Sequence, residues 1–196
     1  MFFGEPFGGV IPGARGAVLA SLLRTDTPLT GRQIHALVSH DYSLWTVQET
    51  LKALTQLGLV HTRTIGRAGV HTINEDHCSV PPLRALLDPI AALADTVRET
   101  VSADVKAVIL FGSIARGEAD PGSDIDLAVL ATARWAGRTD LADAVRTRLG
   151  NDCDVVVFTP SEFARLARDG EPVAHAILTD GIDLCGSLPP VKRGAA

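Results

Sequence analysis

Two runs rich in β-formers, Val-Lys-Ala-Val-Ile-Leu-Phe at 105–111 and Ser-Asp-Ile-Asp-Leu-Ala-Val-Leu at 123–130, are separated by one short polar segment. Runs of this length and composition read as buried strands. The segment between them opens on Gly112-Ser113, continues through Arg116-Gly117, and passes a turn signal at 118–122 (Glu-Ala-Asp-Pro-Gly) before reaching Ser123-Asp124. Helical patterns at 138–149 and 160–179, with further strands at 151–158 and 182–185, complete a mixed β-sheet with flanking helices.

The loop carries two pieces of chemistry. Gly112 lets backbone approach an anion closely, Ser113 adds a hydroxyl and an N–H where a helix begins, and Arg116 lies one turn later with a bidentate fork. Asp124 and Asp126 are two apart on a strand, so both carboxylates face one side. Side by side they repel. A divalent cation removes that conflict, and a set of oxygen-only donors suits Mg²⁺.

The stretch FGSIARGEADPGSDIDLAVL resembles the signature of the DNA polymerase β-like nucleotidyltransferases, most closely the minimal members: Gly-Ser, a short variable loop, then Asp-x-Asp. The resemblance implies a third carboxylate on a neighbouring strand. Asp154, just before Val155-Val156-Val157, matches that position, and Asp152 shares its face as the alternative. It further implies a catalytic and metal-holding trio of Asp124, Asp126 and Asp154 with two Mg²⁺ ions. Gly112, Ser113, Arg116 and Ser123 would then bind ATP or another NTP. A nucleotidyl group, AMP in the first instance, would pass to a hydroxyl of a protein or other acceptor. Minimal members serve as antitoxins that modify a HEPN-type ribonuclease toxin, so the resemblance also implies a protein partner, in a homodimer or hetero-complex.

The first eighty residues follow a different plan. Val18, Leu19, Leu22 and Leu23 mark one helix. Thr30 with Gln33 forms a capping box for a second, and Ser43 caps a third in which Leu44, Val47, Leu51, Leu54 and Leu57 recur at helical spacing. Gly58 stops that helix, and strands at 59–65 and 70–73 flank Gly66-Arg67-Ala68-Gly69. The order resembles a winged helix-turn-helix over 14–77. That resemblance makes the third helix and the hairpin a DNA reader through Arg32, Gln48, Lys52, Arg63 and Arg67. The same surface would equally serve dimerisation or protein docking, because cations are few and Glu49 opposes phosphate.

The expected organisation is an α/β protein with a winged helix-turn-helix at 1–80, a connecting helix at 81–103 that Pro89 kinks or divides, and a minimal nucleotidyltransferase domain at 104–196. The net charge of −5 argues against coating nucleic acid by charge alone. Three cysteines without CxxC spacing exclude a zinc motif or a disulfide framework, and no run of eighteen apolar residues or basic leader is present. The expectation is a soluble, cytoplasmic protein with no membrane association. Its function is either nucleotidyl transfer or DNA-binding regulation in which the second domain senses a nucleotide or docks a partner.

Overall fold

The computed structural model describes residues 1–120 and 122–188, so Pro121 of the expected 118–122 turn and the end of the 104–196 region lie outside the described residues. The chain forms two compact units. One is Glu5–Asp88; the other joins Met1–Gly4 to the chain from Pro89 onward.

In the Glu5–Asp88 unit, helices α1 (Gly13–Leu23), α2 (Gly31–Val38) and α3 (Leu44–Gln56) precede strands β2 (Val60–Ile65) and β3 (Ala68–Ile73), and helix α4 (Val80–Leu86) closes it. The local signals act as their chemistry dictates. Thr30 accepts from the Gln33 N–H while the Gln33 side chain returns to the Thr30 N–H, and Ser43 accepts from the Thr46 N–H. Gly58 ends α3 with φ +77°. Two features escape periodicity. Leu29–Thr30 forms a two-residue strand, β1, that pairs with β3, giving the order β1-β3-β2. Phe7, in a short 3-10 turn, adopts φ 57° and is fully buried among Val18, Leu19, Leu22, Ile34, Val47, Leu51 and Leu54. Full burial of a Phe side chain contributes roughly 1.5–3 kcal/mol, which explains how this one side chain fixes an otherwise irregular segment.

The expected connecting helix is divided. Helix α5 (Pro89–Thr100) begins at the proline itself, a residue tolerated in a first helical turn but not inside a helix, and belongs to the other unit. There it joins β4 (Val105–Phe111), α6 (Gly112–Ala115), β5 (Ile125–Ala131), α7 (Arg138–Leu149), β6 (Cys153–Phe158), α8 (Pro160–Arg168), α9 (Pro172–Asp180) and β7 (Ile182–Gly186). The single helix expected over 160–179 is two, parted at Gly170 with φ +71°.

The four strands are ordered β6-β5-β4-β7, with β5 and β6 parallel and the other pairs antiparallel. Alternation sorts the side chains onto two cores. Val108, Leu110, Ile125, Leu127, Val129 and Val155 pack with Leu93, Val97, Leu141 and Val145 of α5 and α7. Ala107, Ile109, Ala128 and Leu130 pack with Phe163 and Ile177 of α8 and α9. Asp126 and Asp154 belong by parity to the second face, where β5 and β6 begin.

Candidate active site

The site is assembled at one end of the sheet. Phe111, the last residue of β4, is in register with Asp126, the second residue of β5; Asp126 is in register with Asp154, the second residue of β6. In-register neighbours of a parallel pair project to the same side, so the ladder sets Asp126 and Asp154 together. Asp124, two residues before Asp126, follows on that side at the mouth of β5. Asp152 lies before β6, its side chain 3.3 Å from Arg146 and its carbonyl accepting from the Ile125 N–H at 2.9 Å. Of the two alternatives for the third carboxylate, Asp154 is the one beside Asp126.

The electrostatics agree with this geometry. Burial, and after it the negative charges of Asp154 and Asp124, push the Asp126 carboxyl above its ordinary range, while Arg116 acts in the opposite direction. Cys153, between Asp152 and Asp154, has its thiol pushed up to about 12 by burial and then by the same three carboxylates. Among the described residues no three His, Cys, Asp or Glu side chains are disposed to hold a metal ion as they stand. The donor set is nonetheless of the right kind: only carboxylate oxygens, from three positions of which two raise the proton affinity of Asp126, which is the chemistry of a hard divalent cation.

Gly112 follows β4 directly and adopts φ +75°. A Cβ built there would fall 2.0 Å from Asp126 Oδ2 and 2.9 Å from its Cγ, so the carboxylate occupies the space a side chain would take. This is the tightest link between the Gly-Ser turn and the acids. The turn continues as the four-residue α6, whose N-terminus has no side-chain cap, and Ser113 lies in its first turn, where backbone N–H groups have no partner within the helix.

Two predicted anion contacts are occupied within the protein. Arg116 Nε donates to Glu118 Oε2 at 2.7 Å. Ser123 Oγ accepts from the Asp120 N–H at 2.9 Å and donates to Asp120 Oδ1 at 3.2 Å, while Asp120 Oδ1 also accepts from the Gly122 N–H at 2.8 Å. Ser123 therefore closes the loop that presents Asp124. A hollow of ≈ 360 Å³, bordered by Asp124, Asp154, Cys153, Asp152 and the α7 residues Asp143 and Arg146, adjoins the acids.

In the Glu5–Asp88 unit, Arg32, Gln48 and Arg67 border one hollow of ≈ 670 Å³ between the start of α2, helix α3 and the hairpin. Gln48 and Lys52 border a second, of ≈ 380 Å³. No Asp or Glu lines either, and Arg63 is not among the lining residues. His71, which borders both, bonds through Nδ1 to Thr62 Oγ1 at 3.0 Å, and Thr62 Oγ1 lies 3.0 Å from Thr55 Oγ1, so a short polar chain ties α3 to the hairpin. Burial pushes the His71 pKa down.

A mixed sheet with helices on both faces, a glycine turn abutting one strand's carboxylate and acids in register across a parallel pair define an α/β unit with an acidic end. Residues 95–184 match the family described as Polymerase beta, Nucleotidyltransferase, and this stretch of the chain is a nucleotidyltransferase domain. No curated protein matches the chain significantly. Among solved structures, the chain is similar to one of a toxin–antitoxin complex with AMP-PNP (24% identity, 50% of this chain and 73% of that chain, TM-score 0.38). It is also similar to an MntA–HpeT toxin–antitoxin mutant (25%, 50% and 73%, TM-score 0.39). A third is the tri-AMPylated Shewanella oneidensis HEPN toxin with its MNT antitoxin (23%, 50% and 73%, TM-score 0.35). No helix among the described residues is long and apolar enough to cross a membrane.

Proposed function

We propose that this protein transfers a nucleotidyl group, AMP from ATP, to a hydroxyl of a protein or other acceptor, in an antitoxin-type role toward a HEPN-type toxin. The observation that carries the transferase reading is the place of Asp126, in register with Asp154, two residues from Asp124, and with its carboxylate filling the space beside Gly112. The acceptor class rests on the resemblance of the signature to the minimal nucleotidyltransferases. On this reading Asp124, Asp126 and Asp154 hold two Mg²⁺ ions, which when bound neutralise phosphate charge and lower the pKa of the acceptor hydroxyl. The backbone at Gly112 and Ser113 receives the triphosphate, with Arg116 available to it once its bond to Glu118 yields. The acceptor hydroxyl gives its proton to solvent and its oxygen attacks the α-phosphorus in line; the new O–P bond forms as the bond from the α-phosphorus to the oxygen bridging to the β-phosphate breaks, and pyrophosphate leaves with that oxygen. The residues thus act by positioning and charge. The test is incubation of the full chain with Mg²⁺ and each of the four α-labelled NTPs, with and without the product of the adjacent gene. Mg²⁺-dependent label that disappears in Asp126→Asn supports the reading; folded protein that yields no labelled product in any mixture refutes it.

A second reading, that the Glu5–Asp88 unit is a winged helix that binds DNA as a regulator, is favoured by the grouping of Arg32, Gln48, Lys52 and Arg67 around hollows with no acidic lining. Each phosphate neutralised contributes about −0.9 to the slope of log affinity against log salt. Arg32→Ala combined with Arg67→Ala would flatten the slope on upstream DNA by up to about two. A slope near zero in the unmodified protein removes this reading.

A further inference from the structure

Among the described residues only two polar side chains are buried, Thr96 and Asn151. Thr96 satisfies itself locally, its hydroxyl donating to the Ala92 carbonyl one turn back in α5. Asn151 does the opposite and spends its amide on distant chain. Nδ2 donates to the Ser123 carbonyl at 3.3 Å and to the Met1 carbonyl at 3.0 Å, and Oδ1 accepts from the Met1 amino nitrogen at 2.7 Å. The same nitrogen donates to the Leu149 carbonyl at 2.9 Å.

These bonds surround one residue of the proposed site. On one side of Asp124 the Ser123 carbonyl is held by Asn151; on the other, the Ile125 N–H is held by the Asp152 carbonyl at 2.9 Å. Asp124 is therefore pinned on both flanks to the short turn that leads into β6, the strand that carries Asp154. The first residues add to the clasp: Met1 and Phe3 pack against the core beneath α5 and α7, and at Gly4 an added Cβ would come to 3.0 Å from the Ala119 carbonyl, in the loop between Gly112 and Asp124. A side-chain amide suits this position because its two N–H groups serve two carbonyls at once while its oxygen accepts a third bond.

We infer that Asn151 is a positioning residue: by joining the Ser123 carbonyl to the Met1–Gly4 segment, it sets the distance between Asp124 and Asp154 and so the cation affinity of the trio. The inference rests on the reading of Asp124 as a cation-holding carboxylate. Partners bonded directly to a ligating side chain alter metal affinity by about ten- to a hundredfold when removed, and Asn151, which acts through the backbone next to Asp124, is expected at the lower end of that range.

The test compares the full chain with Asn151→Ala, Asn151→Asp and, as a control for loss of a buried polar bond elsewhere in the unit, Thr96→Val. The readouts are Mn²⁺ titration by electron paramagnetic resonance, hydrogen exchange of residues 122–126, and the Mg²⁺ dependence of transfer. Asn151→Ala is expected to raise the half-saturating Mn²⁺ concentration about tenfold, with transfer recovered by excess Mg²⁺, which a partly unfolded protein would not show. Asn151→Asp keeps the acceptor for the Met1 nitrogen and loses both donations, so its 122–126 amides should exchange faster, as in Asn151→Ala, whereas Thr96→Val leaves them unchanged. Unaltered exchange at 122–126 in Asn151→Asp, or Mn²⁺ affinity within twofold of the parent in a folded Asn151→Ala, overturns the inference. An unmodified protein that binds no Mn²⁺ refutes the metal reading and with it the claim on cation affinity. An exchange effect in that case would leave Asn151 as a holder of the Ser123–Asp124 loop only.

Discussion

Gly112→Ala tests the site at its narrowest point, because two separable effects act on one methyl group. The backbone effect comes from φ +75°: an L-residue other than glycine pays about 1–2 kcal/mol in the left-handed region. The steric effect comes from Asp126, whose Oδ2 and Cγ would lie 2.0 and 2.9 Å from the new Cβ; the carboxylate must rotate away, at about 0.5–1.5 kcal/mol for an off-rotamer side chain. The sum is about 1.5–3.5 kcal/mol, enough to lower the melting point of a unit of this size by roughly 6 °C or more. In an Asp126→Ala background the two offending atoms are gone and only the Asp126 Cβ, at 3.2 Å, remains near. The same substitution should then cost only the backbone part, leaving a coupling of about 1 kcal/mol in a double-mutant cycle. Urea unfolding without divalent ions measures it. Trp135 packs against the nucleotidyltransferase core while Trp45 is an exposed residue of the other unit, so a Trp45→Phe background isolates the relevant signal. Additive costs would show that the Gly-Ser turn and Asp126 are not in contact and would refute the proposed geometry.

Further predictions follow from the same neighbourhood. Asp154→Asn should lower transfer by roughly two orders of magnitude or more, as losses of transition-state charge stabilisation do, whereas Asp152→Asn, on the Arg146 side, should retain most activity; equal losses would contradict the register argument. Because the Asp126 pKa is raised on folding, the native state holds that proton more tightly than the unfolded chain. Stability without divalent ions should therefore fall as pH rises from the ordinary Asp value through the raised one, and Asp126→Asn should remove that part of the profile. Chemical denaturation at a series of pH values reads it, and a profile unchanged by the substitution refutes the shift. Thiol labelling at neutral pH should modify exposed Cys78 quickly and Cys153 very slowly, its thiol being pushed up to about 12. Mass mapping of the labelled sites decides it.

The part of the site legible in the sequence is the part that local geometry fixes. Strand alternation alone puts Asp124 and Asp126 on one face, and a glycine after a β-rich run is where a chain turns tightly. What the sequence left open was register. Asp152 and Asp154 are equivalent by alternation, and only the pairing of β5 with β6 separates them. The sequence predicts anion contacts at Arg116 and Ser123, but nothing in a residue's type shows that a neighbour two or three positions away takes a bond from it, as Glu118 and Asp120 do here. Asn151 carried no signal at all. Its partners at Met1 and Ser123 lie 150 and 28 positions away, beyond the reach of any spacing argument. The same holds for β1, too short for periodicity, and for Phe7, whose burial depends on helices that come later in the chain.

The features gathered at the mouth of β5 are each unfavourable by the rules that govern the rest of the sheet. A left-handed glycine forgoes side-chain packing, a half-buried carboxylate sits among two others, and a buried amide stands where an apolar residue would need no partners. Elsewhere β4, β5 and β6 are Val, Leu, Ile and Ala facing two dry cores. Sequences that fold to one structure agree with themselves at every level except where function demands otherwise. The disagreement here is confined to a few residues and has a common sense: backbone N–H groups opened toward an anion, and carboxylates crowded until a cation would relieve them. A packing role accounts for none of the three. On the proposed reading, a triphosphate with its divalent ions accounts for the first two, supplying the anion for the turn and the charge that the trio lacks, and the amide of Asn151 serves by holding the chain on either side of Asp124.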